Sequence, residues 1–217
     1  ASHMPRERRA ALAEVARRRG LVIIADDVYA LTREGAPVPP LATFAPERTV
    51  FVAGLSKVLS AGLRICFLVV PEAWRRPLSE ALFNTLWMAP PLMAELATLW
   101  IEDGTADRVR AQRLAEAARR TLLARELLAP LTHHGHDTAY FRWLELPSGW
   151  TGAAFEAAAR QSGVNVFAAE KFAVGHDPVP AAARIALCAP ETMGELTQGL
   201  GILRNLLHQQ VSTGPVF

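Results

Sequence analysis

The stretch that most constrains the fold is Phe51 to Val70, FVAGLSKVLSAGLRICFLVV. Two apolar strand-like runs flank a turn that carries one lysine, Lys57, and, seven residues later, one arginine, Arg64. The connection between the runs is too short for a helical crossover, so the second strand is expected antiparallel in its sheet. A lysine just past a buried strand is a candidate nucleophilic amine. Held partly out of water, it would have a lowered pKa and more of its reactive neutral form. An arginine within reach supplies a planar fork suited to a phosphate.

The remaining pattern is that of an α/β protein. Pro5 to Arg19 reads as a helix stopped by Gly20, with Leu12, Val15 and Ala16 on its buried side. Its basic cluster, Arg6, Arg8, Arg9, Arg17, Arg18 and Arg19, is expected on the solvated face. Leu21–Ala25 and Thr49–Ala53 are continuous apolar runs, expected as strands covered on both faces, and Arg64–Val70 is a third strand stopped by Pro71. Pro37-Val38-Pro39-Pro40 is a surface loop. Helices are expected over Glu72–Trp87, Leu92–Asp103 and about Ala106–Leu128, with Trp87-Met88-Ala89-Pro90-Pro91 as a buried turn or contact. Further on come a strand Tyr140–Leu146, a helix Thr151–Ser162, short strands Val164–Phe167 and Arg184–Cys188, and a last helix Glu191–His208. That helix carries an apolar stripe through Met193, Leu196, Leu200, Leu203 and Leu207, and the tail from Gln209 is expected to fray.

Composition excludes several classes. With 51% apolar and 20% charged residues over 217 positions the chain is globular, and a net charge of +2 is too small to argue for nucleic acid by itself. No apolar run approaches the length of a membrane span and no secretory signal pattern occurs, so a cytoplasmic protein without membrane contact is expected. Cys66 and Cys188 sit inside apolar runs and are expected as reduced core residues. His133, His134 and His136 read as a polar loop without a ligand set for a metal. Gly199-Leu200-Gly201 lies mid-helix and is no dinucleotide loop. Gly175-His176-Asp177 is a turn or the border of a site. Ala1-Ser2-His3-Met4 looks like a cloning remnant, outside the fold.

Upstream of the lysine turn, the strand Leu21–Ala25 ends in Asp26-Asp27-Val28-Tyr29. A carboxylate with a phenol three residues on suits a pyridoxal ring, the acid holding the ring nitrogen protonated and the phenol meeting the ring hydroxyl. That spacing selects Asp26 over Asp27. The order strand–Asp-x-x-Tyr, strand–Ser-Lys-x-x-x-x-Gly-x-Arg–strand and a late Arg-Ile-Ala-Leu resembles fold-type I pyridoxal-phosphate aminotransferases of class I/II. The seven-residue gap from Lys57 to Arg64, the segment Trp100–Leu128 and Gly163-Val164-Asn165-Val166 resemble the aminotransferase-like domain of MocR-family GntR-type regulators. More distant aminotransferases usually have one residue more in that gap.

The resemblance implies a partial large cofactor-binding domain over residues 5–105, with a mostly parallel sheet and helices, and a small α+β C-terminal domain over 106–217. It implies pyridoxal 5'-phosphate as cofactor. Lys57 would form the Schiff base and move the substrate's α-proton, Asp26 and Tyr29 would hold the ring, and Ser56 and Arg64 the phosphate. Arg184 would clamp a ligand α-carboxylate. Many relatives carry a hydroxyl three residues before the lysine, where this chain has Gly54, so one phosphate hydrogen bond is lost at about 1 kcal/mol. The family's first half and a regulator's winged helix are not identifiable, so the chain is expected to be a C-terminal half, with an uncovered apolar face and weak cofactor retention alone. Three readings follow: the effector-sensing part of a homodimeric regulator that binds an amino-acid or amine ligand and meets DNA only through a winged helix outside this chain, a genuine aminotransferase of amino and 2-oxo acids, or a cofactor-free interaction fragment.

Overall fold

The computed structural model describes residues 4–34 and 38–211, with side chains through His208. Ala1 to His3, three of the four positions expected to be a cloning remnant, Pro37 of the proline-rich loop, and the tail from Ser212 lie outside those residues. The described chain divides into two compact units, one ending at Leu114 and one starting at Ala115.

In the first unit, α1 (Arg6–Arg19) ends at Gly20, whose φ of 65° lets its N–H reach back to the carbonyls of Ala16 and Arg17. Its buried residues are Arg9, Ala13 and Ala16, whereas Leu12 and Val15 are exposed, against the expected stripe. Arg9, expected in the solvated cluster, is buried because distant chain segments meet it. It donates to the carbonyls of Met4 and Pro39 and lies 3.8 Å from the Asp27 carboxylate.

The sheet follows as β1 (Ile23–Asp26), β2 (Thr49–Gly54) and β3 (Cys66–Val69), with the short helix α2 (Leu41–Phe44) between the first two. β1 is parallel to β2, and β3 is antiparallel to it, as the short connection requires. The expected cover on both faces is not met. Ile24 is 75% exposed, every residue of β3 is exposed, and Cys66 with them. Continuous apolar runs show that both faces are made to be dry. They do not show whether the same chain brings the cover.

Helix α3 (Glu72–Leu86) contains no buried residue, and the following turn, expected as a buried turn or a contact, exposes Trp87 and Met88 within the chain. Helix α4 (Pro91–Glu102) starts with proline at its first position, where no N–H is needed. Gly104, at φ 75°, precedes α5 (Thr105–Leu128), which crosses the boundary between the units. The core of the first unit lies beneath the β2–β3 connection. Leu55, Val58, Leu59, Leu63 and Ile65 pack with Ala97, and Met93 and Trp100 close over them.

The second unit holds an antiparallel sheet in the order β4-β5-β7-β6, from β4 (His133–His134), β5 (Phe141–Glu145), β6 (Phe167–Ala168) and β7 (Ala182–Ala186). Helices α6 (Gly152–Gln161) and α7 (Met193–Val211) complete it. Leu144, Ala183 and Ile185 face a core with Leu128, Phe155, Leu200, Leu203 and Leu207. Trp143 and Arg184, paired in register, alternate to the other face.

Three expectations are corrected here. The strand expected from Val164 starts at Phe167, because Val164 still closes the end of α6 by donating to the Ala159 carbonyl. The strand expected over Arg184–Cys188 runs over Ala182–Ala186, which leaves Cys188 past its end and exposed. His133 and His134 form a strand rather than a loop, recruited by the edge of β5. In α7 the leucines of the stripe are buried while Met193 is exposed, and Gly199 and Gly201 lie inside the helix.

Candidate functional site

Asp26, Ser56, Lys57 and Arg64 line one cavity of about 240 Å³, together with Gly54, Val28, Val52, Ile65 and Cys66. Parallel pairing explains the first meeting. Asp26 is the last residue of β1 and pairs with Val52, so its carboxylate stands beside the end of β2 where the lysine turn begins. The two neighbouring acids diverge. Asp26 stays in the cavity, accepting from the Val28 N–H at 3.4 Å, whereas Asp27 turns to Arg9 and donates its N–H to the Val52 carbonyl. Tyr29 follows in the same loop, and the Lys57 Nζ lies 5.5 Å from its ring centroid.

The lysine turn is held from below. Leu55, Val58 and Leu59 are buried around Ser56 and Lys57, and Arg113 donates to the Leu59 carbonyl at 2.7 Å. With those side chains pointing into the core, Lys57 points out and is exposed. The partial withdrawal from water expected of this amine is therefore not met within the chain.

Arg64 carries a feature with no sequence signal. Its backbone is left-handed, φ 53° and ψ 27°, at the end of a short 3₁₀ helix over Ala61–Leu63. A non-glycine residue in that region costs about 1–2 kcal/mol. Leu63 and Ile65, both buried, anchor the chain on either side and leave the guanidinium at the cavity. Strain of this kind persists where the surroundings over-determine it, and functional sites are where it collects.

At Gly54, an added Cβ would stand 3.4 Å from Val28 Cγ1 and 3.9 Å from Cys66 Cβ, ordinary contact distances. The missing hydroxyl is thus not excluded by space. The donor set fits a phosphorylated pyridine aldehyde in its chemistry: a primary amine, a carboxylate, a phenol beside the amine, and a hydroxyl with a guanidinium. Among the described residues no group of three or more metal-ligating side chains occurs.

Arg184 lies on β7 in the second unit. Its Cζ sits 5.3, 4.9 and 5.0 Å from the ring centroids of Phe141, Phe167 and Phe172, and its Nε is buried without a hydrogen-bond partner. Those three rings are scattered over the sequence at no regular spacing, so no pattern pointed to them. Glu156 on α6 was likewise unmarked. It is buried and accepts from Arg160, Lys171 and the Ala168 N–H. The hydrogen bond from Lys171 first, then that from Ala168, holds its carboxyl below the usual carboxylate range.

Residues 1–201 match the family model for aminotransferase class I and II. An uncharacterized HTH-type transcriptional regulator of Bacillus subtilis (strain 168), YdeF, is 39% identical over 95% of this chain and 44% of its own length. A 2-aminoadipate transaminase of Thermus thermophilus is 31% identical over 67% of this chain and 39% of its own length. The chain therefore spans less than half the length of these relatives. Among solved structures, the α-aminoadipate aminotransferase LysN of Thermus thermophilus, complexed with N-(5'-phosphopyridoxyl)-L-leucine, superposes with a TM-score of 0.80 at 25% identity, covering 97% of this chain and 56% of that one. An archaeal alanine:glyoxylate aminotransferase reaches 0.85 at 24% identity, over 97% of this chain and 53% of that one, a likeness of fold.

Proposed function

The chain belongs to the aminotransferase class I and II family, and from that premise we propose that it is the pyridoxal-phosphate-binding, effector-sensing part of a MocR/GntR-type transcriptional regulator. The observation that carries this reading is the meeting of Asp26, Ser56, Lys57 and Arg64 in one cavity, with Tyr29 against the lysine. The likeness to an HTH-type regulator over 95% of the chain supports regulation over turnover. The second reading, a genuine aminotransferase acting on amino and 2-oxo acids, is supported by the likeness to the 2-aminoadipate transaminase.

In either case the residues divide the same tasks. The cofactor supplies, when bound, a carbonyl that condenses with amines and a ring that withdraws electrons. Lys57 Nζ would be its covalent anchor, and the amine that takes a proton from a bound amino-acid ligand and gives it back. The Asp26 carboxylate would keep a proton on the ring nitrogen by charge, the Tyr29 hydroxyl would serve the ring oxygen, and Ser56 and Arg64 would hold the phosphate by hydroxyl and charge-assisted hydrogen bonds. Arg184 takes the ligand's carboxylate, its free Nε–H offering half of a two-pronged contact. The cavity of about 240 Å³ is smaller than sites for whole ligands, about 300–1,000 Å³. We assign the remaining walls to polypeptide outside this chain and to the second subunit of a homodimer, and DNA contact to a winged helix outside it. No helix among the described residues is long and apolar enough to cross a membrane. A regulator of this kind would act in the cytoplasm, where it can reach DNA.

The sequence contains two lysines, Lys57 and Lys171, which makes the test sharp. Pyridoxal phosphate is added to the protein, the adduct is reduced with borohydride, and the labelled peptide is read by mass spectrometry. The label is expected on Lys57, with a visible absorption band before reduction, and both are expected to vanish in Lys57→Ala. A band that survives this substitution, or labelling of Lys171 alone, removes the assignment.

A further inference from the structure

We propose that Glu156 is a positioning residue for the carboxylate subsite at Arg184, acting through the short segment that carries two of the three rings around that guanidinium. The proposal rests on the reading of Arg184 as the ligand-carboxylate clamp and adds to it what holds the clamp's shape.

Phe167 and Phe172 stand at the two ends of one segment, formed by β6 and a 3₁₀ helix over Ala169–Phe172. β6 pairs with β7 through only two residues, Phe167 with Arg184 and Ala168 with Ala183. So short a ladder does not by itself fix where the segment lies. The fixing comes from α6 and is reciprocal. From the helix, Glu156 Oε2 accepts from the Ala168 N–H at 2.9 Å, and its Oε1 accepts from Lys171 Nζ and, at 2.7 Å, from Arg160 Nη2. From the segment, Glu170 Oε1 accepts from the Ala153 N–H at 3.2 Å in the first turn of α6, an end where an anion is favoured. Glu170 Oε2 fills the place that a side chain on Gly152 would take.

Lys171 links this tie to the rings, because its Nζ lies 5.5 Å from the Phe167 centroid while the Arg184 Cζ lies 4.9 Å from the same ring. Phe172 is braced in turn by Trp143, edge to face at 5.2 Å. The consequence for Arg184 is directional. Aromatic faces take up the flat sides of a guanidinium and leave its edge for hydrogen bonds, and the Nε–H at that edge is buried without a partner. A planar carboxylate that reached this edge, closed to water within the chain, would supply the missing acceptor. Once the segment slides, two of the three rings leave the guanidinium. Glu156 grips the segment at two points, Ala168 and Lys171, and it is itself buried, so its hydrogen bonds are not competed away by water.

The test follows the Arg184 Nε–H resonance in the ¹⁵N-labelled chain, assigned by its absence in Arg184→Lys, while pyruvate is added as the probe against chloride of equal ionic strength. In the unsubstituted chain the resonance is expected to be displaced by the ring currents and to move as pyruvate binds. In Glu156→Gln the displacement is expected to collapse and pyruvate affinity to fall tenfold or more, with core methyl resonances of Leu144 and Leu203 unchanged. Glu156→Asp, which keeps the charge, is expected to recover part of both. An unmoved resonance together with pyruvate affinity within twofold in Glu156→Gln overturns the proposal. If Glu156→Gln does not fold, Lys171→Met removes the same tie at its solvent side, and an unmoved resonance there overturns it equally. Failure of the underlying reading looks different: pyruvate binding would be the same in Arg184→Lys, while the displaced resonance would still respond to Glu156.

Discussion

At the scale of single residues, the structure places a histidine acceptor against a buried cation. Arg142 is buried and makes no ion pair among the described residues. Its Nε donates to His133 Nδ1 at 2.6 Å, and its other nitrogens donate to the carbonyls of His133 and His136. Burial first, then the charges of Arg142 and Arg125 and the neighbouring His134, push the His133 pKa down. Asp137, the acid nearby, is engaged by Arg125. Because the folded value lies below the unfolded one of about 6.5, the folded state binds fewer protons here. The stabilisation is present above about pH 6.5 and is lost as pH falls through the folded value. The thermal midpoint is expected to drop between about pH 7.5 and about pH 5.5, and His133→Asn, which keeps an acceptor for Arg142 and cannot titrate, is expected to flatten that slope. An unchanged slope in the variant would place the acid loss elsewhere. By contrast, Gly54→Ser finds ordinary contacts at 3.4 Å or more, and it is expected to tighten pyridoxal phosphate binding about fivefold through the phosphate hydrogen bond, about 1 kcal/mol.

At the scale of elements, α6 shows local propensity losing to tertiary contact. Glycine at its first position is a poor helix former, and alanine would be favoured by about 1 kcal/mol on propensity. The added methyl would run into Glu170 Oε2 and, less escapably, stand 2.9 Å from the Ala182 backbone oxygen. Overpacking of that kind typically costs about 1–3 kcal/mol, and the acid displaced is the one that accepts from Ala153. Gly152→Ala is therefore expected to destabilise by about 1–2 kcal/mol net in urea unfolding, against the sign that propensity alone assigns. The start of this helix has a local signal in Thr151, a usual cap, its hydroxyl accepting from the Ala154 N–H at 3.1 Å. The need for its first glycine has none, since Glu170 lies eighteen positions away.

At the scale of the molecule, the question is what covers α3. A helix of fifteen residues with no buried side chain has little to stabilise it, since isolated helices of that length are marginal in water. Its apolar positions nevertheless continue into the turn: Leu82, Phe83, Leu86, Trp87, Met88 and Leu92 are all exposed, with the Phe83 and Trp87 rings tilted against each other at 4.8 Å. Side chains of these kinds present on the order of several hundred Å² of apolar surface, comparable with the ~800 Å² per partner of a standard interface. The chain is expected to self-associate through this ridge, as the homodimer proposed above requires. Sedimentation equilibrium over a wide concentration range should show the dimer, and Leu86→Asp with Trp87→Asp should shift it to monomer. A single monomeric species throughout would refute the assignment.

Sequence alone determined most of the strands and helices, with α2 and the strand over His133–His134 missed, the antiparallel return after Lys57, and the family likeness. Each rests on periodicity, turn length or motif spacing, which are local properties of a chain. Only the tertiary structure decided which apolar faces are covered, that Lys57 stands exposed above a buried turn, that Arg9 is buried, and that Arg64 takes a left-handed backbone. It also decided that three distant phenylalanines and one buried glutamate surround and brace Arg184. These depend on which segments far apart in sequence come to lie together. An apolar run records that a face prefers to be dry, but what dries it is a property of the folded assembly.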